Sequence, residues 1–310
     1  MVSNAEALVH GSQFQNRYSA CFKDRALSFL SLSSNLLWHR IASYKVSLEK
    51  GTLIVSIDVD VGNGALGRLN QGQNDRNVSS CFSERAVGEF EEASVPLLMN
   101  LLEEVEVPAT FAVRGQLLEV DNTLLDTLLE SSVKHDIAAH GYYHMEFDKL
   151  SRVDTETELE MISQRMKEFN IAPKTFVFPR NRVAYLELLE ERGYLCYRGA
   201  GGFAKNGMYI AKHGGLYDVH PSVFVNRNTN VKLLEKMLDL SISKSAPFHL
   251  WFHPLDFGPN ERNVWKNINQ TLRPFLAYSK LKERDGLLEF HTMRSIAEQL
   301  ERSADNRELR

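Results

Sequence analysis

The stretch LIVSIDVD at residues 53–60 is an apolar run that ends in two carboxylates. Gly51 precedes it and a glycine-containing segment at 62–64 follows it, so the pattern predicts a buried β-strand bounded by turns. Successive strand side chains alternate in direction, and Asp58 and Asp60 therefore project the same way. Two acids at the end of so apolar a segment need a partner, because burying an unpaired carboxylate is costly. A divalent cation would be such a partner, and two acids that cap the following turn are the alternative.

A pair of histidines follows a second short strand. DIAA at 136–139 predicts that strand, and His140 and His144 come directly after it in the sequence HGYYH. A four-residue separation places both imidazoles on one side of a helical turn, which Gly141 eases. Neutral imidazole is a common ligand of zinc and similar metals. Because the carboxyl ends of parallel strands meet on one face, we predict a site of two histidines and one carboxylate, with a second carboxylate left as a base.

Four strand-end motifs occur in order over residues 52–295. They are the acidic pair at 58–60, HGYYH at 140–144, FVFPRN at 176–181 and FHLWFHP at 248–254. In this order and spacing the chain resembles the polysaccharide deacetylase family, the chitooligosaccharide-deacetylase-like carbohydrate esterases. The resemblance implies an α/β fold, specifically the distorted (β/α) barrel of the polysaccharide deacetylase type.

The resemblance also implies a role for each matching residue. Asp60, His140 and His144 would hold a divalent metal ion. Zinc is the expected metal, although two histidines and a carboxylate also suit cobalt, nickel, manganese and iron. Asp58 would be the general base and His253 the general acid. The side chains expected to contact the substrate are Tyr142, Tyr143, Pro179, Arg180 and Trp251.

Two positions depart from the family pattern. The arginine that orients the base usually stands two residues before the proline of the third motif, and that position is Val177 here. The aspartate that orients His253 is not identified by spacing, and Asp218 and Asp256 are both candidates. The candidates for the missing arginine are Arg114, Arg180 and Arg182.

Length and composition fit one catalytic domain. The chain has 310 residues, of which 43% are apolar, enough for the core of one α/β barrel. We expect a helical extension at 1–50, the barrel at 51–301 and a frayed charged tail at 302–310. Helical periodicity alternates with the short apolar runs, and a polar loop long enough to cover a site lies between the first strand and the first helix. The predicted helices span 84–105, 121–133, 154–169, 183–192, 231–243, 262–283 and 292–301, and the loop spans 61–82.

Charge and cysteine content exclude some functional classes. The net charge is −4 with dispersed lysines and arginines, so the sequence carries no electrostatic footprint for nucleic acid. Three separated cysteines indicate a reducing compartment without a disulfide framework. The N-terminal region lacks the pattern of a secretory signal, which leads us to expect a cytoplasmic protein. The amphipathic pattern at 23–46 predicts packing across the barrel bottom or on a partner subunit, or else peripheral contact with the inner face of the membrane.

A cytoplasmic deacetylase would meet a sugar precursor rather than an external polymer. We therefore expect removal of an N-acyl group, first of all acetyl, from a free, nucleotide-linked or lipid-linked amino sugar used in surface polysaccharide biosynthesis. Removal of a formyl group is an alternative, since one methyl group separates the two substrates. A catalytically silent sugar-binding protein on the same fold is another. Metal-free amidohydrolases of the ureide type share the scaffold, but the complete set of ligands argues against that reading.

Overall fold

Ten strands form one curled sheet in the computed structural model, which describes residues 46–60, 84–120, 123–199, 207–258 and 260–308. The predicted extension before residue 46, including nearly all of the amphipathic segment, and the polar loop at 61–82 lie outside these residues. The strands are β1 (Gly51–Val59), β2 (Thr110–Val113), β3 (Asp136–Ala139), β4 (Thr175–Val177), β5 (Cys196–Arg198), β6 (Ile210–His213), β7 (Leu216–Val219), β8 (Val223–Phe224), β9 (Pro247–Phe252) and β10 (Leu288–His291).

Helices follow most of the strands. Among the described residues the α-helices are α1 (Glu84–Glu104), α2 (Leu117–Val120), α3 (Thr123–Leu129), α4 (Arg152–Lys167), α5 (Leu186–Glu191), α6 (Val231–Ser243), α7 (Glu261–Arg284) and α8 (Met293–Glu308). None of them combines the length and the apolar character needed to cross a membrane.

The sheet order is β6-β7-β5-β4-β3-β2-β1-β9-β8, and β10 pairs with the first half of β1. Every described strand pair is parallel except the β6–β7 hairpin. β7 pairs with β5 and β8 pairs with β9, while only residues 220–222 separate β7 from β8. This continuous segment therefore links the two ends of the sheet. The predicted distorted (β/α) barrel is confirmed.

The alternation of β1 assigns its two faces to two different environments. Leu53, Val55 and Ile57 belong to the large core that the helices share with the sheet. Ile54 instead joins a smaller apolar cluster with inward residues of other strands, including Ala138. Asp58 has the parity of Ile54 and so lies on the inner face of the barrel. The apolar pattern of β1 thus directs its acids to the carboxyl end of the barrel.

The other end of the barrel is covered by α8. Met293 and Ile296 pack in the inner apolar cluster, and so does Leu48 from the segment before β1. The backbone N–H of Met293 donates to Thr110 Oγ1 at 2.9 Å, at the start of β2. Asp136, at the start of β3, accepts from Thr175 Oγ1 at 2.7 Å. The amino ends of the strands are therefore sealed, and the carboxyl ends carry the polar site.

Three elements differ from the sequence prediction. The predicted helix at 121–133 is represented by the shorter α3 at Thr123–Leu129, and α2 at Leu117–Val120 was not predicted. The last helix continues to Glu308, past residue 301 where the prediction ended it and where a frayed tail was expected. The hairpin of β6 and β7 was not predicted.

Candidate metal and catalytic centre

Three strands bring five predicted site residues together at the carboxyl end of the barrel. β1 carries Asp58 and leads into Asp60, β3 leads into His140 and His144, and β9 leads into His253. The His253 Nε2 atom lies 3.7 Å from both Asp58 Oδ2 and Asp60 Oδ1. His140 Nε2 lies 4.0 Å from Asp58 Oδ2. The two carboxylates and three imidazoles thus form one cluster.

Asp60, His140 and His144 form a group that fits a metal ion. One ligand atom from each lies within 4.8 Å of the others, and all three residues are buried. His144 Nε2 is 2.6 Å and His140 Nε2 is 3.5 Å from Asp60 Oδ2. Burial lowers the pKa of His144, although Asp60 opposes that shift. A neutral imidazole is the form that a metal needs.

The tautomer of His140 follows from its surroundings. Its Nδ1 atom lies 2.8 Å from the carbonyl oxygen of Val177. A carbonyl can only accept, so Nδ1 carries the proton and the lone pair is on Nε2. That Nε2 atom is buried and finds no hydrogen-bond partner among the residues that the structure describes. An orphaned imidazole nitrogen facing a carboxylate is accounted for by a cation between them, and the residues therefore fit the metal.

Glu158 of α4 holds the backbone between the two histidine ligands. Its Oε2 atom accepts from the N–H groups of Tyr142 at 2.8 Å and Tyr143 at 3.1 Å. The same turn requires left-handed backbone at Gly141 (φ 69°) and His144 (φ 60°). A non-glycine residue rarely adopts that conformation, so the surrounding contacts must hold His144 there. Burial raises the pKa of Glu158 to about 7, although the Tyr143 N–H and Arg114 oppose the shift.

Asp58 forms a buried ion pair with Arg198, at the end of β5. Arg198 Nη2 donates to Asp58 Oδ2 at 2.5 Å, and both side chains are buried. Burial opposes ionisation of Asp58, but Arg198, His140 and His253 together lower its pKa below the usual value. The carboxylate is consequently held in the form that a general base requires.

His253 is held by Asp256 through a short turn. Pro254–Phe257 is a 3-10 turn that returns the Asp256 carboxylate to the ring, where Oδ2 lies 2.7 Å from His253 Nδ1. The same oxygen accepts from the His253 backbone N–H at 2.7 Å. Burial works against the imidazolium, but Asp256, Asp60 and Asp58 raise the pKa of His253 to about 10. Asp218, the other candidate, instead lies 3.1 Å from His220 Nδ1.

The chain is similar to known proteins in sequence and in fold. A family model described as polysaccharide deacetylase matches residues 71–192, which include both histidine ligands. The resemblance to the polysaccharide deacetylases is confirmed. A "putative polysaccharide deacetylase" from Mycobacterium smegmatis superposes with a TM-score of 0.64 at 20% identity, over 84% of this chain and 95% of that one.

Two further solved structures have the same fold. A "probable polysaccharide deacetylase" from Pseudomonas aeruginosa PAO1 gives a TM-score of 0.61 at 15% identity, over 81% of this chain and 91% of that one. Puue allantoinase superposes with a TM-score of 0.58 at 16% identity, over 80% of this chain and 89% of that one. No curated protein sequence matches the chain. The family match supports a hydrolase of the deacetylase type acting on carbohydrate, while these structural likenesses show the fold alone.

The arginine that contacts Asp58 is Arg198, which was not among the three candidates named from the sequence. Arg180 Nη1 lies 3.5 Å from Glu146 Oε1, and Arg182 Nη1 lies 3.5 Å from Asp148 Oδ2. Arg114 acts electrostatically on Glu158 and on His144. Arg198 was missed because its partner lies 140 positions away in the chain. The available sequence signal for Arg198 was its position as a charged residue at the end of a short buried strand.

The five residues predicted to contact substrate occupy different environments. Tyr142 is buried, and its hydroxyl donates to Glu119 of α2, so it packs against the barrel rather than facing the site. Pro179 is also buried. Tyr143 is partly exposed, with its ring 4.7 Å from that of Tyr142. Arg180 keeps a third of its side chain exposed.

Trp251 lies beside two residues of the site, His253 and Arg198. Its ring lies 5.7 Å from that of His253 and 4.8 Å from the Arg198 guanidinium. Phe224 packs against it at 4.8 Å. The indole is partly exposed and lies beside both Arg198 and His253.

Proposed function

We propose that this chain is a metal-dependent hydrolase that removes an N-acyl group, in the first instance acetyl, from an amino sugar. The observation that carries the proposal is the single cluster at the barrel mouth. It combines the Asp60–His140–His144 group with a second carboxylate, Asp58, and a protonated imidazole, His253. These are the parts that hydrolysis of an unactivated amide requires: an electrophile, a base and an acid.

Asp60, His140 and His144 would hold the ion. A divalent cation at these ligands supplies Lewis acidity, which polarises an acyl carbonyl and lowers the pKa of water. Zinc is the first metal to test, and cobalt, nickel, manganese and iron suit the same ligands.

Asp58 is the group that takes a proton from the attacking water. Its Oδ2 atom is committed to Arg198, whereas Oδ1 is buried and has no hydrogen-bond partner within the described parts of the chain. Oδ1 is therefore the oxygen that accepts the proton while the water oxygen bonds to the acyl carbon. Arg198 keeps the carboxylate ionised beforehand and fixes its orientation.

His253 gives the second proton. Its Nδ1 atom is held by Asp256, so the Nε2–H faces Asp58 and Asp60. Transfer of that proton to the amide nitrogen turns it into a neutral amine as the C–N bond breaks. The products are a carboxylic acid and a free amino sugar. Without the proton the nitrogen would be the poorer leaving group, and the intermediate would expel water again.

We assign the reaction to a nucleotide-linked or lipid-linked precursor of a surface polysaccharide, handled in the cytoplasm. A formyl group is the alternative acyl group, because the same base and acid would act on it.

The experiment measures acetate and formate release by metal-loaded protein from free, nucleotide-linked and lipid-linked N-acyl amino sugars. We expect acetate release that a chelator abolishes and that Asp58→Asn lowers by about 100-fold or more, as for loss of a general base. Release of formate alone would replace the acyl group in the proposal. Sugar binding without turnover in metal-replete protein would overturn the hydrolase and favour a binding protein.

A further inference from the structure

A buried hydrogen-bond chain continues behind Arg198, away from Asp58. Arg198 Nη1 donates to Ser56 Oγ at 2.7 Å, and Ser56 Oγ lies 2.8 Å from His249 Nε2. The other ring nitrogen of His249, Nδ1, lies 3.0 Å from the carbonyl oxygen of Val219. Arg198, Ser56 and His249 have no exposed surface. None of these partners belongs to the proposed metal ligands or to the acid.

The direction of every hydrogen bond in this chain is fixed by elimination. The Val219 carbonyl can only accept, so His249 Nδ1 carries the proton. His249 Nε2 then accepts from the Ser56 hydroxyl, which leaves the Ser56 oxygen to accept from Arg198. Burial and, after it, the nearby Arg198 lower the pKa of His249 to about 3, so the ring is neutral as this assignment requires. Every hydrogen bond of the series is therefore donated in the same direction, from the Arg198 guanidinium towards the Val219 carbonyl.

The carbonyl that ends the chain belongs to a fixed part of the barrel. Val219 is the last residue of β7, at the point where the segment passes from β5 to β9. Ser222, in the link to β8, donates its N–H to the His249 carbonyl at 2.8 Å. His249 thus joins β9 to the end of β7 through both its ring and its backbone.

We propose that Ser56 and His249 are positioning residues that anchor the Arg198 guanidinium to the backbone at the barrel closure and thereby aim it at Asp58. The inference rests on the proposed function, since it assigns Asp58 the role of base. A guanidinium is planar and uses its nitrogens as a rigid fork. Fixing Nη1 on Ser56 therefore fixes the direction of Nη2, which contacts Asp58. Without Ser56, Nη1 would lose a buried acceptor and the guanidinium could rotate about its stem.

The first test compares Ser56→Ala with Ser56→Thr, which keeps the hydroxyl, and with Ser241→Ala as a matched control. Ser241 is equally buried and donates to the Ala246 carbonyl at 2.6 Å, so it takes no part in the hydrogen-bond chain behind Arg198. We expect Ser56→Ala to lower kcat by about 10-fold or more while KM and bound metal change by less than about 3-fold. Ser56→Thr should recover most of kcat, and Ser241→Ala should keep it. Wild-type kcat in Ser56→Ala would overturn the proposal.

The second test does not depend on turnover. The ¹⁵N chemical shifts of the His249 imidazole, assigned by their loss in His249→Gln, report its tautomer in the metal-loaded wild-type protein. We expect a neutral ring with the proton on Nδ1. A protonated ring or the Nε2–H tautomer would contradict the hydrogen-bond chain. If the wild type hydrolyses no acyl amino sugar, the proposed function fails, but this measurement still supports or overturns the anchoring of Arg198.

Discussion

Arg198 on β5 lies directly beside Val177 on β4, and its guanidinium contacts Asp58. Val177 is the position where the deacetylase pattern places the arginine that orients the base. Both residues have the inward parity of their strands, since Cys196 and Val177 share the inner apolar cluster. In this chain the same type of charge therefore comes from the neighbouring strand.

This relationship predicts the outcome of exchanging the two residues. Arg198→Val should leave Asp58 without its buried partner, at a cost of about 3–5 kcal/mol in stability. The double variant Val177→Arg/Arg198→Val conserves the volume of the inner cluster and returns a guanidinium to the same layer. We expect it to recover stability and part of kcat relative to Arg198→Val. Urea unfolding measures the stability, and steady-state kinetics measure kcat. If the double variant recovers neither quantity, the position of the arginine on β5 is itself required.

Glu158 offers a test of how the ligand turn is held. Replacing Glu158 with Gln removes the charge that two backbone N–H groups share, so the turn between His140 and His144 should loosen. We expect the dissociation constant for zinc to rise by about 10-fold or more, as for other groups that orient metal ligands. The matched control is Glu160→Gln on the same helix, where the carboxylate is exposed and accepts from Gln164.

The effect of Glu158→Gln should depend on pH. The pKa of Glu158 is raised to about 7, so the wild-type side chain is ionised above that pH and protonated below it. The ratio of the two dissociation constants should therefore be largest near pH 8 and shrink below pH 7, where wild type and variant are both neutral. Competition titrations with a chromophoric chelator provide the ratio. Equal affinities at pH 8 would show that α4 does not hold the turn through this carboxylate.

Asp256→Asn should change the pH dependence of turnover. A general acid must be protonated, so activity falls as pH rises through the pKa of His253. Asp256 helps to raise that pKa to about 10, and its charge is removed in the variant. We expect the alkaline limb of the kcat profile to move to lower pH by about one unit or more. An unchanged limb together with a lower kcat at every pH would assign Asp256 an orienting role without an electrostatic one.

The grouping of Asp60, His140 and His144 could be predicted from sequence because the signals of these residues are local. Strand alternation sets the directions of Asp58 and Asp60, and the four-residue spacing of His140 and His144 is visible in one short segment. The order of the strand-end motifs was sufficient to predict the barrel. Parallel register then brings these segments together, since β1 and β3 both pair with β2.

The partners of the base and acid were harder to predict. Arg198 meets Asp58 only through the register of the sheet, which no local pattern reports. Asp256 has a local signal in hindsight, because a proline after His253 favours a tight turn that returns the third residue to the histidine. The β6–β7 hairpin also has a local sequence signal. Gly214 and Gly215 separate the two strands, and a pair of glycines is typical of a two-residue hairpin turn.

The central claim is that Asp60, His140 and His144 bind the metal ion on which hydrolysis depends. Elemental analysis after loading with zinc and removal of the excess tests it most directly, for the wild type and for His140→Ala/His144→Ala. The control is His213→Ala/His291→Ala, which removes two histidines outside the cluster. We predict about one ion per chain in the wild type and the control and none in the first variant. A metal-free wild type, or a His140→Ala/His144→Ala variant that keeps its ion, would contradict the assignment of these residues as metal ligands.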